Sequence, residues 1–416
     1  KCPDCSPEIR PLIQPLTEWV REDNDLAWYD IATYERTITT VYGGEIFMVP
    51  LDADVVLLYY RTDILQQAGF DKPPDTWEEY IDMSRALQGI DMNGDGTPDY
   101  AACTGKMNSS KFDLNAYFFM GYVSSYLQYN GTRQGVFFDA ATMAPKSNTS
   151  AFAHAWSLYK QATYFGPQLT TDLWTSWDLF AAGRCAMVLS FGDILGLIKN
   201  TSVENVTSAT ILPGSRQVYN RVTQQMEQCT AELCPFMDEQ GINRAPFATP
   251  GYAGYVSRFT KEERKKAAYD FLTFLAAPEQ SDKAVFEGLG QDIFRKSQLN
   301  STLWFVHHYS NVTTINTIDA LHTVLNSPNV AIPMPAIKQY AYFTTFTSWN
   351  KCYLFDECTL DQAQAGLTRD WSNLLQKYGE RDQHTLYAVM LGNPEPIYSY
   401  QINITYSLMV TFITLA

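Results

Sequence analysis

Residues 42–87, YGGEIFMVPLDADVVLLYYRTDILQQAGFDKPPDTWEEYIDMSRAL, decide the fold, because each part of the run dictates an element. An apolar strand over 45–49 ends at Pro50, and a second strand over 55–60 runs into a helix that stops at Gly69. Between the strands lies a short acidic link carrying Asp52 and Asp54, which reads as a crossover between two lobes. Pro73 and Pro74 force an extended approach, and Thr76 caps a new helix with Glu79 at capping-box spacing. On local pattern alone the run suits any α/β protein, so it fixes elements and leaves function open.

The order of its residues carries more. Gly43, Gly44, Pro50, Tyr59, Tyr60, Asp63, Gly69, Pro74, Thr76, Trp77, Glu78 and Glu79 follow one another as in the extracellular solute-binding proteins of the sugar-binding group, which the chain resembles. Residues 177–190 (WDLFAAGRCAMVLS), then Phe191, Gly192 and Asp193, resemble that family's helix-to-strand segment and its glycine turn at the ligand cleft. Leu212-Pro213-Gly214, residues 251–275 and residues 333–379, with Pro335, Tyr340 and Trp371, continue the likeness in the same order. Several linked motifs in one order are far more specific than any one of them.

The resemblance implies a two-lobed α/β fold of the type II periplasmic-binding-protein (Venus-flytrap) class. Residues 1–54 and 253–328 are then the first lobe, 55–250 and 330–380 the second, and 381–416 an extension ending in an apolar tail. It also implies reversible binding with lobe closure rather than catalysis. The ligand contacts it implies are Asp52 and Asp54 at the first crossing, Trp174 and Trp177, Gly192 and Asp193, Tyr252 at the second crossing and Tyr340 near the third. Carboxylates there would accept hydrogen bonds from sugar hydroxyls or an amine, and aromatic faces would stack on the ligand. In the family the glycine–proline strand lies deeper in the first lobe than the 41 residues before Tyr42 allow. The leading part of that lobe is therefore expected from an upstream piece or another polypeptide, without which sheet edges and apolar faces would meet water.

Composition agrees with a large globular chain: 416 residues, 46% hydrophobic and 18% charged, give material for two cores. A net charge of −15 argues against nucleic acid, since a backbone binder needs a basic face. The one dense basic run, 261–266 (KEERKK), has two glutamates inside it and reads as a solvated helix face.

Two features speak for the compartment. Eight cysteines include the close pairs Cys229/Cys234 and Cys352/Cys358, read as local disulfides, beside Cys2, Cys5, Cys103 and Cys185. A zinc reading of Cys2 and Cys5 needs a second pair at zinc-finger spacing, and none is near. Eight N-x-S/T sequons stand at Asn108, Asn130, Asn148, Asn200, Asn205, Asn300, Asn311 and Asn403. Together they read as a secretory-pathway glycoprotein, so the resemblance is to a glycosylated eukaryotic version of the family, of the kind that green-algal receptor cyclases carry. The tail 406–416 (YSLMVTFITLA) reads equally as the start of a membrane segment or as a buried terminal element.

Residues 91–99 (DMNGDGTPD) place Asp91, Asn93, Asp95, Thr97 and Asp99 at calcium-loop spacing, with Gly96 at the sharp turn. Ala102 stands where an EF-hand has its bidentate glutamate, so calcium and a metal-free polar turn both stay open. Catalytic constellations are poor. There is no HExxH, G-x-S-x-G or phosphate-binding loop, and adjacent His307 and His308 on a strand would face opposite ways. The expected function is thus a ligand-sensing ectodomain of a membrane protein. The alternatives are a cell-surface interaction protein that keeps the fold without a ligand, and a transport-associated solute receptor.

Overall fold

The computed structural model describes residues 10–397 apart from 107–113, 169–171, 250 and 289–290. The strands are β1 (Val41–Tyr42), β2 (Glu45–Ile46), β3 (Met48–Pro50), β4 (Leu57–Arg61), β5 (Tyr100–Ala102), β6 (Cys185–Ser190), β7 (Thr207–Ile211), β8 (Gln217–Asn220), β9 (Gln225–Gln228) and β10 (Ala253–Tyr255). The expected 45–49 strand is two short ones, because the chain changes partner at Phe47: Glu45–Ile46 pairs with β1, Phe47 N–H continues that ladder to Thr40 O, and Met48–Pro50 pairs with β10. The helix after β4, Thr62–Gln67, ends as the sequence requires. Gly69 takes a φ of +86°, open to glycine, and Phe70 N–H reaches back to Leu65 O. Thr76 caps Trp77–Leu87 through Glu79 N–H at 3.2 Å, but the Glu79 carboxylate returns to Asp75 N–H, one residue earlier than a capping box demands.

The second lobe is built on the sheet β5-β6-β4-β7, in which β4 runs antiparallel to both neighbours and β5 parallel to β6. Every residue of β4 and β6 is buried, as strands covered on both faces must be. Its core is aromatic: Trp77 stacks on Tyr122 at 3.6 Å and Phe119 on Phe346 at 4.7 Å. A disulfide between Cys103 and Cys185 ties the end of β5 to the start of β6, and Cys229–Cys234 and Cys352–Cys358 close short loops.

The first lobe is smaller. β3 pairs with β10, and Leu16, Val20, Ile31, Val49, Val256 and Tyr269 form its core beneath the helix Glu262–Ala276. Fully buried Arg295 staples it, donating to Leu26 O (2.8 Å) and Ala276 O (3.0 Å) and pairing with Asp30 at 3.2 Å. On the same helix Phe271 and Phe274 are 61% and 56% exposed, and Tyr255 of β10 is 57% exposed. Within the basic run, Lys265 is buried against Glu262 rather than solvated.

Three crossings join the lobes, and they are bonded to one another. Val55 bridges Ala248 antiparallel, and Phe247 bridges Ala331 parallel. Thr249 N–H donates to Asp54 O (2.8 Å), and Ala248 N–H to Ala331 O (3.1 Å). Two expected boundaries move. The helix Asn311–Asn326, assigned in sequence to the first lobe, packs on β7: Thr313 Oγ1 donates to Thr207 O (3.0 Å), and Leu321 and Val324 enter the large core. The extension beyond 380 begins not as a linker but as the helix Glu380–Met390. Leu386, Val389 and Met390 cluster with Ile13, Tyr42, Phe47 and Met48 of the first lobe, while the Tyr387 hydroxyl donates to Phe138 O of the second at 3.2 Å. One helix therefore grips both lobes. No described helix is long and apolar enough to cross a membrane.

Candidate functional site

Carboxylates collect where the crossings meet. Asp52, in the first crossing, is 1% exposed, and its Oδ1 accepts from Ala53 N–H (2.9 Å) and Asp292 N–H (2.6 Å). Asp292 follows the first-lobe helix Pro278–Glu287 and is 3% exposed. Its Oδ2 accepts from Gly192 N–H at 2.8 Å, so a second-lobe turn is latched to a first-lobe acid. Only glycine permits that approach, since a Cβ at 192 would sit 2.5 Å from Asp292 Oδ1. Asp193 and Asp54 complete the group, and Glu35, 1% exposed, lies close enough to feel Asp52.

Burial without counter-charge dominates the electrostatics. Asp52 is pushed up to about 6 by burial, held back by the N–H groups it accepts from. Burial lifts Asp193 to about 7, with Asp52 adding to it, and Glu35 to about 8, with the Thr39 hydroxyl opposing. Asp54 and Asp292 are raised well above the ordinary carboxylate range by burial and then by their acidic neighbours. Three buried oxygens, Glu35 Oε1, Asp193 Oδ1 and Asp292 Oδ1, have no hydrogen-bond partner, and neither has the Tyr59 hydroxyl. Orphaned buried acceptors are costly and rare in native proteins.

Asp193 and Asp292 face a small cavity of about 30 Å³, walled also by Gly192, Phe286, Trp304 and Tyr309. That volume is close to one or two waters, whereas sites for small organic ligands run to several hundred Å³. A cavity of that size has no room for a small organic ligand as the lobes stand.

The structure brings together Asp52, Asp54, Gly192 and Asp193 of the expected contacts, and not the aromatic ones. Trp177 is 1% exposed and lies in the core with Trp174 edge-on at 4.9 Å, while Trp174 itself is 59% exposed. Tyr252 gives Asp52 its backbone N–H (3.4 Å) while 70% of the residue is exposed, and Tyr340 is 68% exposed at the start of the helix Gln339–Leu354. None of these rings lines the cavity. Sequence reading missed Glu35, Asp292 and the wall Phe286, Trp304 and Tyr309. An acid followed directly by two large apolar residues, as in Asp292-Ile293-Phe294, was the available signal.

The 91–99 loop satisfies itself. Asp91 accepts from Gly94 and Gly96 N–H, Asp95 from Thr97 N–H, and buried Asp99 holds Met92 N–H and Arg184 (3.0 Å). Among the described residues no three His, Cys, Asp or Glu side chains are grouped to hold a metal ion. His307 and His308 lie at the end of the helix Ser301–Val306 and not on a strand; His307 stacks on Phe286 at 5.0 Å. Of the sequon residues, Asn130, Asn148, Asn200, Asn205, Asn300 and Asn311 are exposed, and Asn108 and Asn403 lie outside the described residues, as do Cys2, Cys5 and the 406–416 tail.

Among solved structures, maltose-bound MalE3 of T. maritima is similar at a TM-score of 0.65 and 17% identity, covering 90% of this chain and 82% of that one. A solute-binding protein of Agrobacterium radiobacter in complex with ribitol gives 0.66 at 16%, covering 89% and 82%, and one of Agrobacterium vitis with D-mannitol gives 0.65 at 15%, covering 91% and 84%. At those identities the likeness shows the fold. Curated relatives match over short segments. A probable ABC transporter-binding protein of Deinococcus radiodurans is 41% identical over 46 residues, 11% of each chain. A lactose-binding protein of Rhizobium radiobacter is 41% identical over 61 residues, 14% of each chain. Against this fold and cleft, the model of the bacterial extracellular solute-binding proteins matches residues 11–304, and the chain belongs to that family.

Proposed function

We propose that the chain captures a small sugar-like molecule between its lobes, outside the cell, and closes on it. The observation that carries the reading is the latch from Asp52 through Asp292 to Gly192. It joins the first crossing, the first lobe and the second lobe through buried acceptors beside a cavity. Only a ligand with higher affinity for the closed form can drive closure, and acceptors contributed by both lobes supply that difference. Calorimetry with maltose, ribitol, D-mannitol and glucose tests it. Saturable binding of at least one, weakened about tenfold or more by Asp54→Asn, is expected. Absence of binding at millimolar concentration would sink the reading.

Two settings fit such a receptor. Exposed sequon asparagines and three disulfides support a glycosylated surface ectodomain, for which intact-mass measurement before and after glycosidase is the test. The named relatives support a transport-associated receptor instead, and unglycosylated protein from its native source would favour that setting. The smallness of the cavity favours a third reading, a surface protein that has kept the fold and lost its ligand. Exposed Tyr255, Phe271 and Phe274, beside a two-stranded sheet, support a partner polypeptide that adds an extended segment to the first lobe. Cross-linking mass spectrometry of native material tests it. Calcium at the 91–99 loop requires Asp91 and Asp95 to exchange backbone donors for a cation, and a rise in Tm with added calcium is the test.

A further inference from the structure

The interlobe site carries more acid than a neutral sugar calls for. Asp52 and Asp54 come from the first crossing, Asp193 from the turn after β6, and Asp292 from the first lobe, and the charged groups acting on them are chiefly one another. Neutral polyols bring hydroxyl donors and no charge. Enclosing several carboxylates with such a ligand leaves them either protonated or mutually repelling.

Two further observations point to what would complete them. Asp292 is 3% exposed, lines the cavity, and has Oδ1 without a partner, as has Asp193 beside it. The rest of the wall includes an aromatic trio in mutual contact, Phe286–Trp304 at 5.7 Å, Trp304–Tyr309 at 5.3 Å and Phe286–Tyr309 at 6.3 Å. Aromatic faces next to carboxylates attract an ammonium group by its charge and by the ring quadrupole. The basic groups placed against this wall are Lys199, whose ammonium lies 4.8 Å from the Tyr309 ring centre, and His307, stacked on Phe286 with Nδ1 3.8 Å from Glu287. Neither is hydrogen-bonded to the four acids. A metal ion is a poorer fit, since no described trio of acidic, histidine or cysteine side chains is grouped to hold one.

We propose that this cleft selects a hydroxylated primary ammonium compound of hexose size, an amino sugar, with the ammonium group seated between Asp193 and Asp292 against Phe286, Trp304 and Tyr309. The inference rests on the reading of this cleft as the ligand site. In the empty closed form, protons on the raised acids stand in for the cation; the amino sugar replaces them, so binding releases protons.

The test is calorimetry of the full chain at pH 7 with glucosamine, glucose and N-acetylglucosamine, the glucosamine titration repeated in two buffers of different ionisation enthalpy. Glucosamine is expected to bind at least about tenfold more tightly than either neutral sugar, with proton release, because each charge-assisted hydrogen bond exceeds its neutral counterpart by about that factor. Asp193→Asn is expected to abolish the preference while leaving the ligand-free protein as stable or more so, an effect that lost folding could not produce. Glucose binding as tightly as glucosamine overturns the amino-sugar inference and leaves the sugar-capture reading standing. If none of the three binds while maltose, ribitol or D-mannitol does, the amino-sugar inference alone falls; if no sugar or polyol binds, both fall.

Discussion

Glu35 and Gly192 illustrate how single residues set the behaviour of the cleft. A carboxylic acid that folding raises from 4.5 to about 8 holds its proton more tightly folded than unfolded. Its contribution is therefore most favourable at low pH and is eroded as pH climbs from about 4.5 towards 8. Asp52 acts in the same sense up to about 6 and Asp193 up to about 7. The stability of the ligand-free protein should thus decline from pH 5 to pH 8 in denaturant titrations. Glu35→Gln, which can still accept from Thr39, should flatten that slope and gain about 2–4 kcal/mol at pH 8; an unchanged slope would contradict the burial argument. Gly192→Ala places a methyl 2.5 Å from Asp292 Oδ1. Overpacking of this kind costs about 1–3 kcal/mol, so binding of whichever sugar saturates the wild type should weaken about tenfold, read by calorimetry. The placement of Asp52 and Asp193 where the lobes meet was legible in the sequence because the motifs around them are local. Asp292 and Glu35 were not, since their role arises only when distant segments fold against the same crossing.

At the scale of elements, what the sequence revealed depended on how local the cause was. The stop at Gly69, the cap at Thr76 and the helix-to-strand passage into β6 are set by neighbouring residues and fold as expected. Placing the helix Asn311–Asn326 on β7, or finding Glu380–Met390 to be a helix across both lobes, needs the tertiary partners of their apolar faces. The expected aromatic residues lie away from the cavity for the same reason: whether Trp177 faces a cleft or a core is decided by what covers it. The Cys103–Cys185 bridge, which spacing alone left unassigned, closes a separation of 82 residues between β5 and β6. Replacing both cysteines with alanine should cost about 2–4 kcal/mol in chemical denaturation. Leu386→Ala should cost about 2–4 kcal/mol as well, because Leu386 is 1% exposed among residues of the first lobe. A loss below 0.5 kcal/mol would show that the helix rests on the lobes without holding them.

For the whole molecule, two lobes, three bonded crossings and a shared acidic centre describe a hinge with a latch. On the proposed function, closure is limited by repulsion among these acids and favoured by whatever neutralises them, protons or a ligand; the helix Glu380–Met390 contacts both lobes. The two-lobed class was legible from the order of motifs along the chain, but the acid-rich character of the cleft was not, since it sums side chains from three separate segments. The most direct check is small-angle X-ray scattering of the full chain at pH 8, without ligand and with the tightest-binding sugar at a concentration calorimetry shows to be saturating. The radius of gyration should be larger without ligand and contract on saturation. A radius that stays constant while binding saturates would contradict closure as the mechanism.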